Sequence, residues 1–285
     1  MAASSLKTIA RSAKGRWKKV RIACLRRFRG FDHYDLQRFL SELGISPGVT
    51  VLVHSSLDQF EGFRGDTMAI LSALQGAVGS QGTLLMPTLP FTGSAVEYVS
   101  KDPVFDVVRT PSRMGLLTEL FRRSPGVVRS VHPTHSVAAW GAKAKEITHK
   151  HHLAGTPCGR PSPYHGLLDN AGKILFLGTD ISVMTFFHTV EEELEPAMPF
   201  SAFTKEIFTL RSRDQAGAEF RTNTRLFEPT YSRRRNLWKL VPILRERKQW
   251  KEGRLGTLRA IVVTAEEVLA CSADLAKRGI YCYDL

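Results

Sequence analysis

His188 stands in the run TFFHTVEEELE, where a helix would carry Glu191 or Glu192 three or four positions on and on the same face as the imidazole. A carboxylate beside an imidazole fixes its tautomer and raises its basicity, which is the equipment of a general base. A solvated helix face with a chance histidine has the same spacing, so the pattern alone leaves both readings open. His54, Ser55 and Ser56 close the apolar run TVLV, where hydroxyls and backbone N–H groups could hold a phosphate or a carbonyl oxygen. Serine beside histidine also suggests a hydrolase with Ser55 or Ser56 as nucleophile. Against it, GxSxG is absent, and neighbouring residues of a strand face opposite ways. His132 and His135, in HPTHS, could ligate a metal by count. No third ligand stands at a metal-binding spacing, so we expect no metal and read them as structural or as a substrate wall. His149, His151 and His152 receive no role. The nucleotide signatures GxGxxG and GxxxxGK[ST] do not occur.

The elements that must position these groups follow an α/β rhythm. The spacing of Leu36, Phe39, Leu40 and Leu43 predicts a helix over 34–43, ended by LGISPG. TVLVH (50–54), TLLMP (83–87) and KILFLG (173–178) read as buried strands, with a helix over 67–78 between the first two. Strand, helix, turn, strand is a βαβ unit, and ligands gather at the carboxyl ends of its strands. Further helices are predicted over 114–123, 142–149, 185–195 and 268–277. A strand is expected after the histidines of 129–141, and others at EIFTL and RAIVV. Residues 88–113 read as loop-rich.

Charge sets the arm apart from the body. Lys plus Arg is 40 against 27 Asp plus Glu, a net +13 over 285 residues. Residues 1–31 hold ten basic side chains and no acidic one, and a second basic block runs from Arg233 to Arg254. In the arm, Leu6, Ile9, Ala13, Trp17, Val20, Cys24 and Phe28 share one helical face. Such a helix can dock on protein or lie on an anionic membrane as a peripheral contact. No helix-turn-helix or zinc-finger pattern points to nucleic acid. Four scattered cysteines, Cys24, Cys158, Cys271 and Cys282, exclude a disulfide scaffold. No run approaches the ~20 apolar residues of a membrane span and no signal-peptide core is present, so a cytoplasmic setting is expected.

Read in order, VLVHSSL (51–57), GSQGTLLMPT (79–88), RSVHPTHSVAAWG (129–141), PSP (161–163), GKILFLG (172–178) and HTVEE (188–192) resemble the aminoglycoside 3-N-acetyltransferase family, whose antibiotic N-acetyltransferase-like fold is distinct from GNAT enzymes. The resemblance covers about residues 35–200, weakens beyond 200 and is absent for 1–30. It implies a three-layer α/β/α sandwich on a mixed central sheet with a smaller C-terminal subdomain. The expected division is an extension (1–30), a main domain (31–200), a subdomain at the acceptor site (201–260) and a return to the main domain (261–285). It implies acetyl-CoA as donor and a small-molecule amine as acceptor. His188 would be the base in the stretch Thr185, His188, Glu191, with Glu228 of RLFEPTY as the counterpart of a downstream orienting glutamate. Ser55 and Ser56 would lie against the cofactor, Thr185 would steady the thiolate or oxyanion, and Arg64 of the glycine loop would pair with cofactor phosphates, with Arg109 and Arg113 behind it. Glu97, His132 and His135 are expected in the substrate pocket.

The loop LPFTGSAVEY carries only Glu97, whereas a polycation normally meets several carboxylates, and a chain at +13 attracts polycations poorly. The sequence therefore favours an amino sugar, neutral or on an anionic carrier, over an aminoglycoside antibiotic. The competing readings are an aminoglycoside resistance enzyme, a serine-type hydrolase and a non-catalytic binding protein. Either a monomer or a dimer is compatible.

Overall fold

The computed structural model describes Trp17, residues 20–23 and residues 25–284. The strands are β1 (Thr50–Ser55), β2 (Thr83–Pro87), β3 (Val104–Asp106), β4 (Val128–Arg129), β5 (Val137–Gly141), β6 (Lys173–Leu177), β7 (Phe208–Arg213), β8 (Glu219–Thr224), β9 (Lys251–Leu255) and β10 (Leu258–Thr264). Seven form a mixed sheet in the order β4-β5-β2-β1-β6-β10-β9. At its centre β1 runs parallel to both β2 and β6, while β5 and β10 flank that trio antiparallel.

The central strands are apolar through their middles because both faces are covered. Val51 and Val53 of β1, Leu84 and Met86 of β2, and Leu175 and Leu177 of β6 enter one core. Leu52, Leu85, Ile174 and Phe176, the alternate positions, enter the other. The first core is roofed by α1 (His33–Glu42), α2 (Thr67–Val78) and α3 (Leu116–Phe121). The second is roofed by α4 (Phe187–Leu194) and α5 (Ala265–Lys277), among shorter helices. This is the expected three-layer sandwich. Local chemistry sets the helix starts: Asp32 and Asp35 form a reciprocal capping box on α1, and Asp66 caps α2.

Parallel β1, β2 and β6 put their carboxyl ends on one edge. Because β5 is antiparallel to β2, with Val137 opposite Pro87, the segment entering β5 arrives at that same edge with His135. Gly178, which leaves β6 there, has φ +72, and a Cβ would lie 2.9 Å from the Ser56 carbonyl oxygen. Glycine thus lets the loops after β1 and β6 close on each other.

A three-stranded sheet, β3-β7-β8, forms the smaller unit. A third core joins it to the loop after β2 through Leu89, Phe91, Leu210 and Leu226. Buried Arg129 binds this junction. It donates to the carbonyls of Thr88, Val107 and Thr110 and to the hydroxyls of Thr88 and Ser136, with its guanidinium 4.7 Å from the Phe105 ring centre. Three chain segments thus share one planar donor fork.

Two expectations need correction. The segment 88–113, read as loop-rich, supplies β3 and the helix Ala95–Val99. The expected subdomain 201–260 is too long. Leu237, Leu240 and Leu244 sit in the main core, and β9 pairs with β10 as the outer strand of the main sheet. Its sequence, KEGRL, looks polar because an edge strand is half solvated.

Of the arm, the described residues between 17 and 29 are helical. Leu6, Ile9, Ala13 and Cys24, on which the predicted apolar face also rests, lie outside the described residues. Trp17, Val20 and Phe28 of that face are exposed, at 75%, 63% and 78%. The helix is fastened by an Arg21–Glu61 ion pair and by Arg64, whose Nε and Nη2 donate to the Arg26 carbonyl at 3.0 and 2.8 Å. Among the described residues no helix is long and apolar enough to cross a membrane.

Candidate active site

α4 begins just past the carboxyl end of β6, where Asp180 caps a short turn and the Thr185 carbonyl accepts the His188 N–H. His188 Nδ1 donates to Glu191 Oε2 at 2.6 Å, across three positions of the helix. Glu191 is fully buried. Its other oxygen, Oε1, accepts from Arg235 Nε at 2.8 Å and from the Tyr283 hydroxyl. Arg235 and Tyr283 arrive as partners in an isolated antiparallel bridge, secured by Asn236 N–H to the Cys282 carbonyl and Asp284 N–H to the Arg234 carbonyl.

Burial alone would raise the Glu191 carboxyl, but the Arg235 guanidinium and His188 outweigh it and hold the group ionised well below the usual range. An ionised Glu191 fixes the proton on His188 Nδ1 and leaves Nε2 as a free acceptor. Burial, and then Arg235, pull the His188 pKa below its ordinary value, with Glu191 opposing them. The imidazole is therefore neutral at neutral pH. Phe227 stacks on it with ring centres 3.6 Å apart, and His135 meets it edge-on at 5.7 Å.

His188 and His135 open onto a cavity of about 480 Å³, with Phe91 and Phe227 as apolar walls and Glu97, Arg233 and Arg235 as charged ones. A second cavity, about 550 Å³, is lined by Ser55, Ser56, Asp58 and Arg113. One lining residue of each is joined by a backbone hydrogen bond, from the Arg113 N–H to the Leu89 carbonyl.

The predicted residues divide accordingly. His188 and Glu191 pair, Glu97 and His135 line the first cavity, and Ser55 and Ser56 line the second. Thr185 supports the start of α4 through its carbonyl. Glu192, the other acid that the spacing allowed, instead accepts from Thr156 Oγ1 at 2.6 Å. Three expectations are corrected. Glu228 caps the short helix Pro229–Ser232 and accepts from Thr230, and of the two glutamates expected to orient His188 it is Glu191 whose carboxylate meets the imidazole. Arg64 is occupied with the arm's carbonyl, and Arg113 is the arginine beside the serines. His132 is fully buried away from the cavity walls, and its Nδ1 accepts the N–H groups of Thr134 and His135 at 3.3 and 3.2 Å. It shapes the turn that presents His135. Neither Ser55 nor Ser56 has a hydroxyl hydrogen-bonded to a histidine among the described residues, so the nucleophile–base pair of a hydrolase is not formed. Also among the described residues, no three His, Cys, Asp or Glu side chains gather as a metal site.

Arg235, Tyr283 and Phe227 escaped the sequence reading. Arg235 was one basic residue in a basic block, and Tyr283 lies 92 positions from its carboxylate.

A three-layer α/β/α sandwich with a buried His–Glu pair at the carboxyl edge of its parallel strands defines the class. The chain belongs to the aminoglycoside 3-N-acetyltransferase family, whose sequence profile matches residues 52–277. It is 35% identical over 168 residues to the SPbeta prophage-derived aminoglycoside N(3')-acetyltransferase-like protein of Bacillus subtilis (strain 168). That alignment takes in 53% of this chain and 61% of the relative, so the chain spans less than two thirds of it. Among solved structures it is similar to the aminoglycoside acetyltransferase AAC(3)-Xa (TM-score 0.76, 24% identity, 92% of this chain and 99% of that one). It is also similar to AAC-IIIb in its binary complex with CoASH (TM-score 0.71, 22% identity, 90% and 99%).

Proposed function

We propose that this protein is an acetyl-CoA-dependent N-acetyltransferase that moves the acetyl group directly to a primary amine, carried by an amino sugar or a sugar-containing small molecule. The observation that carries the reading is His188, its Nδ1 proton committed to a buried ionised carboxylate and its ring opening onto a cavity whose wall residue Leu89 is hydrogen-bonded to Arg113 of the Ser55/Ser56 cavity. Acetyl-CoA would occupy the serine-lined cavity, with Arg113 toward its phosphates, and the amine the histidine-lined one. A structural relative solved with CoASH supports the choice of donor.

In the reaction the amine nitrogen attacks the thioester carbonyl carbon. His188 Nε2 takes the proton of the attacking nitrogen, and Glu191 stabilises the imidazolium that results. Collapse of the tetrahedral intermediate breaks the C–S bond. The amide and the CoA thiolate leave, and the proton on Nε2 passes to the thiolate, giving CoASH. Ser56 and Thr185, with nearby N–H groups, are the candidates to steady the oxyanion or thiolate.

The test is a panel of UDP- and dTDP-amino sugars, kanamycin-type aminoglycosides and simple amines, assayed for CoA release with acetyl-CoA and longer acyl-CoAs. Ternary-complex kinetics without acylated protein by intact mass are expected. A burst of acyl-enzyme would instead indicate the serine hydrolase, and absence of any acetyl-CoA binding a non-catalytic scaffold. Turnover of aminoglycosides alone would make this an aminoglycoside acetyltransferase in the strict sense, the reading that the family's name favours.

The exposed Trp17, Val20 and Phe28, on a helix among basic residues, support a peripheral contact with an anionic membrane. The protein is expected to float with phosphatidylglycerol-containing vesicles and not with phosphatidylcholine alone, and Trp17→Ser with Phe28→Ser should abolish that flotation. Equal flotation of the variant would sink the idea.

A further inference from the structure

The charged groups of the acceptor cavity are unequal in what remains to them. Glu191 is saturated by His188, Arg235 and Tyr283, and Arg235 is spent on Glu191 in return. Glu228 holds Thr230. Of the arginines in and beside the smaller sheet, Arg225 pairs with Glu195, Arg211 with Asp102 and Arg213 with Glu219, whereas Arg221 has no ion pair among the described residues and lies outside the cavity lining. Arg233 lines the cavity and enters no ion pair or side-chain hydrogen bond among the described residues, and Glu97 is the one carboxylate on the cavity walls, likewise without an ion pair.

Among the described residues an acceptor therefore meets one unpaired anion and one unpaired cation on the cavity walls. A polyamine would find a single carboxylate and would have to bring its remaining ammonium groups toward Arg233 and Arg235. A molecule that carries one amine and one oxyanion uses both free groups. Guanidinium presents a planar fork that matches carboxylate or phosphate oxygens two at a time, and the hydroxyl of Ser232, on the same wall, adds a donor.

We infer that the acceptor is an anionic amine, an amino sugar bearing a carboxylate or a phosphate, whose oxyanion is received by Arg233 while Glu97 draws the ammonium into the cavity. This rests on the acetyltransferase reading and narrows its substrate class. Arg233 is a specificity-determining residue here; the proton chemistry remains with His188.

The experiment compares matched acceptors on the full chain: glucosamine, glucosamine 6-phosphate and a 2-amino-2-deoxyuronic acid, with acetyl-CoA. A hydrogen-bonded charge pair is worth roughly 10–100-fold, so at least one of the two anionic sugars should exceed glucosamine in kcat/KM by about that factor. Which of them does so tells phosphate from carboxylate. In Arg233→Gln that preference ratio should fall toward one, and in Arg233→Glu it should invert in favour of glucosamine. Arg233 is exposed, so these variants are expected to fold, and their thermal unfolding is recorded alongside.

A ratio near one in the unaltered protein, or a ratio undiminished in Arg233→Gln, overturns the inference. Calorimetry of glucose 6-phosphate, glucuronate and glucose against the CoA-loaded protein separates the two layers. Arg233-dependent binding of either anion without acetylation of any amine would leave the anion site standing and remove the acetyltransferase reading. Acetylation that ignores the anion would do the reverse.

Discussion

His188→Ala is expected to lower kcat for amine acetylation by roughly 10²–10⁴-fold, the reach of a positioned general base, with little change in the KM for acetyl-CoA. The imidazole touches the acceptor cavity and none of the walls of the serine-lined one, which is why the two constants should separate. Glu191→Gln should fall in the same range for a different reason. An amide facing Nδ1 can donate to it and so leave the proton on Nε2, where a base is needed; carboxylate-to-amide exchange in other His–carboxylate pairs costs up to ~10⁴-fold by this route. The exchange also strips Arg235 of its buried partner, so its folding must be verified first. In the unaltered protein, kcat/KM should lose activity on the acid side below the ordinary histidine pKa of 6.5, because burial and Arg235 both disfavour the imidazolium. Near-normal CoA release by His188→Ala with a true acceptor would remove the proposed role.

The chemistry at His188 was legible because its carboxylate is three residues away on one short helix, a distance that helical periodicity resolves. The remaining partners of that carboxylate were not. Arg235 and Tyr283 approach through a bridge between two distant segments, and no local pattern announces it. The sheet shows the same division. β1, β2 and β6 are buried on both faces and read as continuous apolar runs, whereas β3 and β4 have three and two residues and carry no period at all. Arg64 was misread for a related reason. An arginine in a glycine-bearing loop suits a phosphate and a helix carbonyl equally well, and only the packing of the Arg64 side chain against Gly30 and the Arg26 carbonyl decides it. Glu228 is followed by a proline at the first position of a short helix, and its carboxylate caps that helix.

Acid should unfold this protein at a mild pH, and the largest cause should be its buried histidines. His54, His132, His135 and His151 are all buried. Burial pulls His54 and His151 down to about 3 and His132 and His135 well below their ordinary 6.5. For His132 the surroundings fit only the neutral ring. His132 Nδ1 accepts two N–H groups, and His151 is held by the Ser130 hydroxyl at 2.8 Å on Nδ1 and by the Pro157 carbonyl at 2.9 Å on Nε2. His132 and His151 also stack, with ring centres 4.4 Å apart, so charging both adds repulsion. The unfolded chain takes up a proton at each near pH 6.5 while the folded chain does not, so the unfolded state binds more protons and stability falls as pH falls. Between pH 7 and pH 5 His54 and His151 each remove about 2 kcal/mol, a large share of a typical domain's stability, and His132 and His135 act in the same direction. Denaturant unfolding at half-unit steps from pH 7.5 to 5 should therefore show a steep loss that begins near pH 6.5, before carboxylates titrate. His54→Phe, which keeps the stack on Phe176 at 5.5 Å without a titratable ring, should lessen the slope by about 1.4 kcal/mol per pH unit. A stability that stays flat from pH 7 to pH 5 would mean these rings accept protons in place, and the neutral packing described for them would be wrong.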